Sequence, residues 1–504
     1  MSDGFRVSSS ALKRFSWAGM VLALMAVFGL PTAAFAAATT VMLVGDPGTV
    51  TVTADDLVSE VSIGDSASFV TVVDSQGVTP GAGCEVDPDV VGGVRCAKPI
   101  GGVTVIDVIL AAGDDILLTA GLGEPLDVSG GDGNDTLNGG SQADILDGGA
   151  GDDTLDGKGL DDILIGGADT DTADYDGIPD RIVSLDGIAN DGAVGENDNV
   201  GTEDVTTANG NDTLTGDANA NRFVSGNGDD TLSGGPGGDI LNGGNDVDTV
   251  DYSSAAGPVV MTIGGGANDG ELGENDNVSI SVENVIGGPD DDTITGSTVA
   301  NRLSGGVDPT PAVDDGDTGN DTLMGGLGND TLNGFDGDDE LFGEGDADRL
   351  NGGVGADILD GGPGIDDRVS YQGRTGGVKV NQNVPGGDGQ GGAAEGDDVR
   401  ANVERVTGTA FADTLVGGQL NASILSGSSG HDVLNGGNSH NDAVNGGPGN
   451  DTIKDNGGRD SVIGSLGKDI FHTSDGARDL INCGVGADRS SDRDRIDVRN
   501  ASCE

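Results

Sequence analysis

The sequence predicts an all-β solenoid, and three observations carry that prediction. From Gly130 to Gly167 the chain reads GGDGNDTLNGGSQADILDGGAGDDTLDGKGLDDILIGG, in which glycine, aspartate and a large aliphatic residue return every nine residues. Glycine supplies 95 of the 504 residues, so tight turns recur along most of the chain. Aromatic residues make up 3 % of it, too few to fill an ordinary globular core of this length. A segment such as Asp-Thr-Leu is too short to stand as a strand alone. Stacked coils turn its inward leucine into a continuous apolar ladder.

The first 36 residues form a separate element. Arg6, Lys13 and Arg14 give a positive start, Ala18 to Leu30 is apolar, and Ala34-Phe35-Ala36 fits a small-x-small cleavage site. This pattern reads as a secretory signal peptide over 1–36. The competing reading, an uncleaved membrane anchor, suffers from the shortness of the apolar run.

Residues 37–112 alternate apolar and polar side chains, as in TVMLVGDPGTVTVT, SASFVTVVDS and GGVTVIDVIL. They predict short antiparallel strands that form an N-terminal β cap over the first coil. Cys84 and Cys96 fall inside this region, and Cys483 and Cys503 lie at the other end. Three connectivities are open to four cysteines; the local pairs Cys84–Cys96 and Cys483–Cys503 are favoured by their separation. An exported chain makes disulfides the natural state. A zinc site lacks any C-x-x-C spacing.

Four repeat blocks follow. In the first, 113–174, Asp135, Asp144, Asp153, Asp162 and Asp171 hold the sixth place of each unit, and Leu137, Leu146, Leu155 and Leu164 hold the eighth. In the second, 207–251, the sixth place carries Asp212, Asp230, Asp239 and Asp248, with Asn221 in one unit. The third, 287–369, has Asp292, Asp321, Asp330, Asp339, Asp348, Asp357 and Asp366, with Asn301 in the odd unit. The fourth, 408–482, has Asp413, Asp432, Asp442, Asp451, Asp460 and Asp469, with ten-residue units near Gln419 and His440. Glycine at the first places lets the turn adopt positive φ and lets carbonyls face one point. A short-tethered carboxylate offers hard oxygen, which suits Ca²⁺ better than zinc or copper.

Units such as GGAGDDTLD, GGLGNDTLN and GGPGNDTIK resemble the RTX, or haemolysin-type, calcium-binding nonapeptide G-G-x-G-x-D-x-U-x. The resemblance implies a right-handed parallel β-roll, a β-helix-like solenoid in which two nonapeptides make one coil. It also implies several calcium ions between stacked turns, held by the sixth-place aspartates and turn carbonyls. With two units per coil, Asp135, Asp153 and Asp171 should line one edge, and Asp144 and Asp162 the other.

Three longer segments interrupt the register, at 175–206, 252–286 and 370–407. Each begins at a tyrosine (Tyr175, Tyr252, Tyr371) and ends in an acidic turn containing Glu196, Glu274 or Glu395. They read as wider coils whose strands continue the sheets. Asp198 and Asp276 in those turns are equally well read as further calcium ligands or as solvated loop residues. The last segment, 483–504, mixes Arg489, Arg493, Arg495 and Arg499 with acids and reads as a C-terminal cap closed by Cys483–Cys503.

Charge and motifs narrow the function. With 87 acidic against 23 basic residues the formal charge is −64, which repels nucleic acid and anionic membrane surfaces. The chain has three histidines, His431, His440 and His472, and none forms H-E-x-x-H. No G-x-S-x-G elbow is present, and no carboxylate pair stands apart from the repeats. The expected function is therefore a secreted, non-enzymatic calcium-binding protein that folds on taking up calcium outside the cell. A calcium-stabilised adhesin or surface-layer component is the alternative, ahead of the repeat region of a hydrolase or a toxin. Membrane insertion is not expected, because the mature chain has no apolar or amphipathic membrane segment. A cell-surface or extracellular partner would remain to be identified.

Overall fold

The computed structural model describes residues 106–119, 125–175, 177, 180–306, 319–390, 395–437, 440–493, 497–500 and 503. Before residue 106 it describes the strands at 5–8, 39–44, 49–53, 60–65, 69–74, 78–80, 84–86 and 93–97. The signal peptide expected over 1–36 otherwise lies outside the described residues. The described chain is all-β, with no helix among those residues. It divides into two compact units, Met1–Asp248 and Thr249–Glu504.

Parallel pairing at a fixed interval organises the first unit. Thr136–Asn138 pairs with Thr154–Asp156, bringing Leu137 opposite Leu155, and Ile145–Ala150 pairs with Ile163–Ala168, bringing Leu146 opposite Leu164. Partners are 18 residues apart, so one coil consumes two nine-residue units. Alternate units therefore build opposite sheets. In most of the three-residue strands the central side chain is the one buried, as Leu137 and Leu155 are, and Leu146 is fully buried in the facing strand. The core is a double row of single aliphatic residues, which explains why so few aromatics suffice. Coils approach closely at the turns: Gly149 has φ +113°, and a Cβ on it would lie 2.1 Å from the Gly131 carbonyl oxygen.

The roll begins earlier than the nine-residue register. Ile106–Ile109 pairs in parallel with Leu126–Asp132, and Ile116–Thr119 with Thr136–Asn138. Upstream, Thr39–Val44 with Thr49–Thr53 and Glu60–Asp65 with Phe69–Asp74 are antiparallel. Thr49–Thr53 and Glu60–Asp65 then join Ile106–Ile109 and Ile116–Thr119 in parallel. Cys84 and Cys96 stand opposite each other in an antiparallel pair, but their side chains lie outside the described residues.

The second unit repeats the plan. One ladder runs through Asn284–Ile286, Arg302–Ser304, Thr331–Asp336, Arg349–Val354 and Arg368–Ser370 to Arg405–Thr407. The facing ladder runs through Val260–Thr262, Thr293–Thr295, Thr322–Gly326, Glu340–Glu344, Ile358–Asp360 and Asp398–Val399. Near the end, Cys483 and Cys503 form a disulfide with a Cα–Cα distance of 5.2 Å.

The interrupting segments change the sheets rather than simply continuing them. After Tyr175 the ladder of Ile163–Ala168 closes with Asn199–Gly201. A new one opens at Arg181–Ser184, which pairs with Thr213–Thr215. The same exchange follows Tyr371, where Asp398–Val399 ends one ladder and Val378–Asn381 opens another with Thr414–Val416. In both places the other ladder runs through unbroken.

Candidate metal centre

The sixth-place aspartates are joined into rows by one recurring hydrogen bond. Asp135 donates its backbone N–H to Asp153 Oδ1 (2.7 Å), and Asp153 donates to Asp171 Oδ1 (2.9 Å). On the other edge Asp144 donates to Asp162 Oδ1 (2.8 Å). The two rows are those expected from two units per coil. In the first unit Asp212 donates to Asp230 and Asp230 to Asp248, while Asn221 donates to Asp239. In the second unit one row passes through Asp292, Asp321, Asp339 and Asp357, and the other through Asn301, Asp330 and Asp348. Further on, one row is Asp413, Asp432, Asp451 and Asp469, and its counterpart is Ser423, Asp442 and Asp460.

Each carboxylate thus spends Oδ1 on the neighbouring coil. For Asp135, Asp153, Asp162, Asp171, Asp330, Asp348, Asp357, Asp432, Asp442, Asp451, Asp460 and Asp469 the Oδ2 atom is buried without a hydrogen-bond partner. In all of these units but that of Asp460, whose first place is Asp455, that oxygen faces the first-place glycine, and in several a turn carbonyl also converges there. A Cβ on Gly130 would lie 2.3 Å from Asp135 Oδ2 and 2.4 Å from the Gly148 carbonyl oxygen. On Gly325 it would lie 2.5 Å from Asp330 Oδ2 and 2.7 Å from the Gly343 oxygen. Glycine is needed there because any side chain would occupy the space these oxygens share. Hard, buried, unpartnered oxygens around such a space fit an oxygen-seeking cation such as calcium.

Burial dominates the electrostatics of these rows. It pushes the carboxyls of Asp135, Asp144, Asp348 and Asp357 up to about 7, and that of Asp162 to about 9. Backbone N–H donors oppose the shift, and neighbouring carboxylates add to it in most of these cases.

Of the sixth-place aspartates read from the sequence, Asp366 is misplaced. The unit GGPGIDDRVS has ten residues; Ile365 is 81 % exposed and the buried position falls on Asp367. Asp367 Oδ1 accepts the Asp348 N–H at 2.9 Å. Asp366 instead adopts φ +85° and forms ion pairs with Arg368 and Arg405. All the others are buried in their rows.

Several residues extend the rows beyond the register. Asp115 precedes it: its N–H donates to Asp135 Oδ1 (2.7 Å), and its carboxylate is fully buried. Asp198 accepts from Asp162 N–H (2.8 Å) and Asp397 from Asp357 N–H (3.3 Å), each after a wider coil has intervened. At the far end Asp479 and Asp488 accept from Asp460 and Asp469. His431 takes a surface place, its Nδ1 accepting the Asn450 N–H.

The wider coils share a buried centre. The hydroxyls of Tyr175, Tyr252 and Tyr371 donate to Asp198, Asp276 and Asp397 at 3.1, 3.0 and 2.8 Å. A second aspartate straddles the adjoining strands: Asp191 accepts from Ser184 and Val200, Asp269 from Thr262 and Val278, and Asp388 from Asn381 and Val399. Arg181 and Arg374 pair with Glu196 and Glu395 and lie over the Tyr175 and Tyr371 rings. The tyrosine spacing was the sequence signal for this centre.

With this geometry in hand, the comparisons agree with it. The model of the RTX calcium-binding nonapeptide repeat matches residues 129–164, 199–232, 224–254, 283–308, 315–350, 334–367, 422–453, 437–471 and 445–480. Comparison with curated proteins gives no match.

Proposed function

We propose, from the premise that this is a protein of RTX calcium-binding nonapeptide repeats, that its β-roll is exported and folds on taking up calcium outside the cell. The sixth-place aspartates are the ligands in this reading, with Asp367 replacing Asp366. One observation carries it: at most row positions a buried aspartate gives Oδ1 to the N–H of the preceding coil and leaves Oδ2 bare, in several units beside a turn carbonyl; Asp144, Asp292 and Asp413 instead accept a turn N–H at Oδ2. A polar oxygen buried without a partner costs ~1–3 kcal/mol, and more when charged. A roll that repeats this arrangement many times is unfavourable unless a cation is present. Calcium, when bound, supplies the missing positive charge.

The chain's own part is to aim the oxygens. The N–H of each coil fixes the carboxylate of the next, the first-place glycine keeps the space clear, and the strand between turns sets the spacing. Export is supported by the leader-like start and by the Cys483–Cys503 disulfide, which suits an oxidising compartment. Far-ultraviolet circular dichroism of residues 37–504 tests the reading. The β signal should be small in chelator and rise steeply with millimolar Ca²⁺, with Mg²⁺ a poor substitute. An unchanged β signal in excess chelator would refute it.

A further inference from the structure

We propose that Asp455, Asp475 and Asp479 form an additional calcium site built differently from the repeat turns, from three side-chain carboxylates. It rests on the calcium reading of the repeats and goes beyond it, because neither Asp455 nor Asp475 holds a sixth place.

In the flanking units the first place is Gly446 or Gly464, and a Cβ there would lie 2.4 or 2.5 Å from the sixth-place Oδ2. In the unit starting at 455 that place is taken by an aspartate, so a carboxylate enters the space that glycine elsewhere leaves open. One coil further on, the ten-residue unit at 473–482 brings Asp475 and Asp479 alongside. One carboxylate oxygen from each of the three lies within 4.8 Å of the others.

All three carboxylates are held in the same way. Asp455 Oδ1 accepts the Asn456 N–H (2.9 Å), Asp475 Oδ1 the Ala477 N–H (2.6 Å), and Asp479 Oδ1 the Asp460 N–H (3.0 Å). In each the other oxygen, Oδ2, is buried with no hydrogen-bond partner. Asp455 and Asp479 are 0 % and 1 % exposed, and the part-exposed Asp475 gives the cluster its way to solvent. Among the described residues none of the three has a basic partner. Three bare, prepositioned carboxylate oxygens with no nitrogen or sulfur among them select a hard cation. Oxygens around one Ca²⁺ at ~2.3–2.6 Å lie up to about 4.6–5.2 Å apart, so these three can share a single ion.

The test counts ions by native mass spectrometry of the full chain at matched free calcium. It also follows hydrogen exchange of residues 455–482 through a calcium titration. Asp455→Asn keeps the side chain's volume and its acceptor for the Asn456 N–H without opening a glycine space beside Asp460, and Asp475→Ala alters a residue outside the rows, so neither variant should prevent folding. Each should carry one calcium fewer than the parent. Protection of 455–482 should need about tenfold more calcium, with residues 320–360 unmoved. Variants that keep the parent's ion count and midpoint would overturn this site while leaving the repeat reading intact. A parent that takes up no calcium would overturn both. Uptake of Mg²⁺ in preference to Ca²⁺ at 455–482 would overturn the calcium assignment.

Discussion

Asp348→Asn separates the two roles of a row aspartate. Asp348 is fully buried, its Oδ1 accepts the Asp330 N–H at 2.8 Å, and its own N–H donates to Asp367 at 2.9 Å. Its Oδ2 has no hydrogen-bond partner. Asn221 and Asn301 show how the amide sits in such a place: each turns Nδ2 to a carbonyl oxygen, Glu203 at 2.9 Å or Glu283 at 3.1 Å. The substitution therefore keeps the hydrogen-bonded row and removes a bare buried charge, a relief of ~1–3 kcal/mol in the metal-free roll.

It also removes a ligand, and with it a calcium contribution of ~1.4 kcal/mol at ten times the dissociation constant and ~4.1 kcal/mol at a thousand times. For a relief of ~2 kcal/mol the two effects balance near thirtyfold the dissociation constant. Urea unfolding at a series of calcium concentrations should show the variant more stable than the parent below that point. Above it the variant should be less stable, by ~2 kcal/mol at a thousandfold. Glu340→Gln, an exposed strand residue, serves as the charge control. Parent and variant curves that keep one order throughout, or superimpose, would refute the reasoning.

Three further outcomes follow from the same geometry. Asp135, Asp144, Asp348 and Asp357 have carboxyls raised from 3.8 to about 7, so protonation favours the metal-free roll below the unfolded value. That support is lost as pH rises through about 7, so in chelator the β signal should grow on acidification toward about 4. For the same reason the calcium midpoint should fall between about pH 5 and 7 as protons leave the ligands. Leu332→Ala, at a fully buried strand centre, should cost ~2–5 kcal/mol in saturating calcium, read from urea midpoints. Replacing Cys483 and Cys503 with serine opens a 20-residue loop and should cost ~3 kcal/mol at that end. Hydrogen exchange should confine the loss to residues near 480–500.

Where the repeat is regular, the sequence exposes both the core and the rows. Leu137, Leu146, Leu155 and Leu164 are all buried at the same place of successive units, where the strand turns alternate side chains inward, and counting by nine finds them. Counting fails where stacking and spacing part company. Asp366 is the sixth residue of its unit, yet an inserted residue hands the place to Asp367. Asp397 follows Asp357 in its row after 40 residues, because the wider coil at Tyr371 loops out and returns. The exchange of sheets at Tyr175 and Tyr371 left no mark in the hydrophobic pattern, since both the closing and the opening strands alternate alike. Asp455 is invisible to the count because it stands in a glycine's place, where the repeat gives no reason to expect an acid.

The choice of aspartate at most row positions asks for an explanation that hydrogen bonding does not provide. The row accepts Asn221, Asn301 and Ser423, each of which donates its N–H onward to the next aspartate. Asparagine even finds a partner for its second polar atom, which the carboxylates of Asp330 and Asp348 do not. For a roll without ions, asparagine would be the better residue everywhere, because it avoids burying a charge. Glutamate fills such a role where a row is interrupted: Glu404 Oε2 accepts from both Asp366 and Asp367, at 3.0 and 2.9 Å. Its longer tether reaches across the wider coil. Aspartate has the shorter reach needed to touch the preceding coil with one oxygen and the glycine space with the other. The preference for a charged group in a place where charge is costly makes sense only if a cation is drawn to it. That is the physical content of the calcium proposal, and it makes Asp348→Asn the substitution on which the proposal stands or falls.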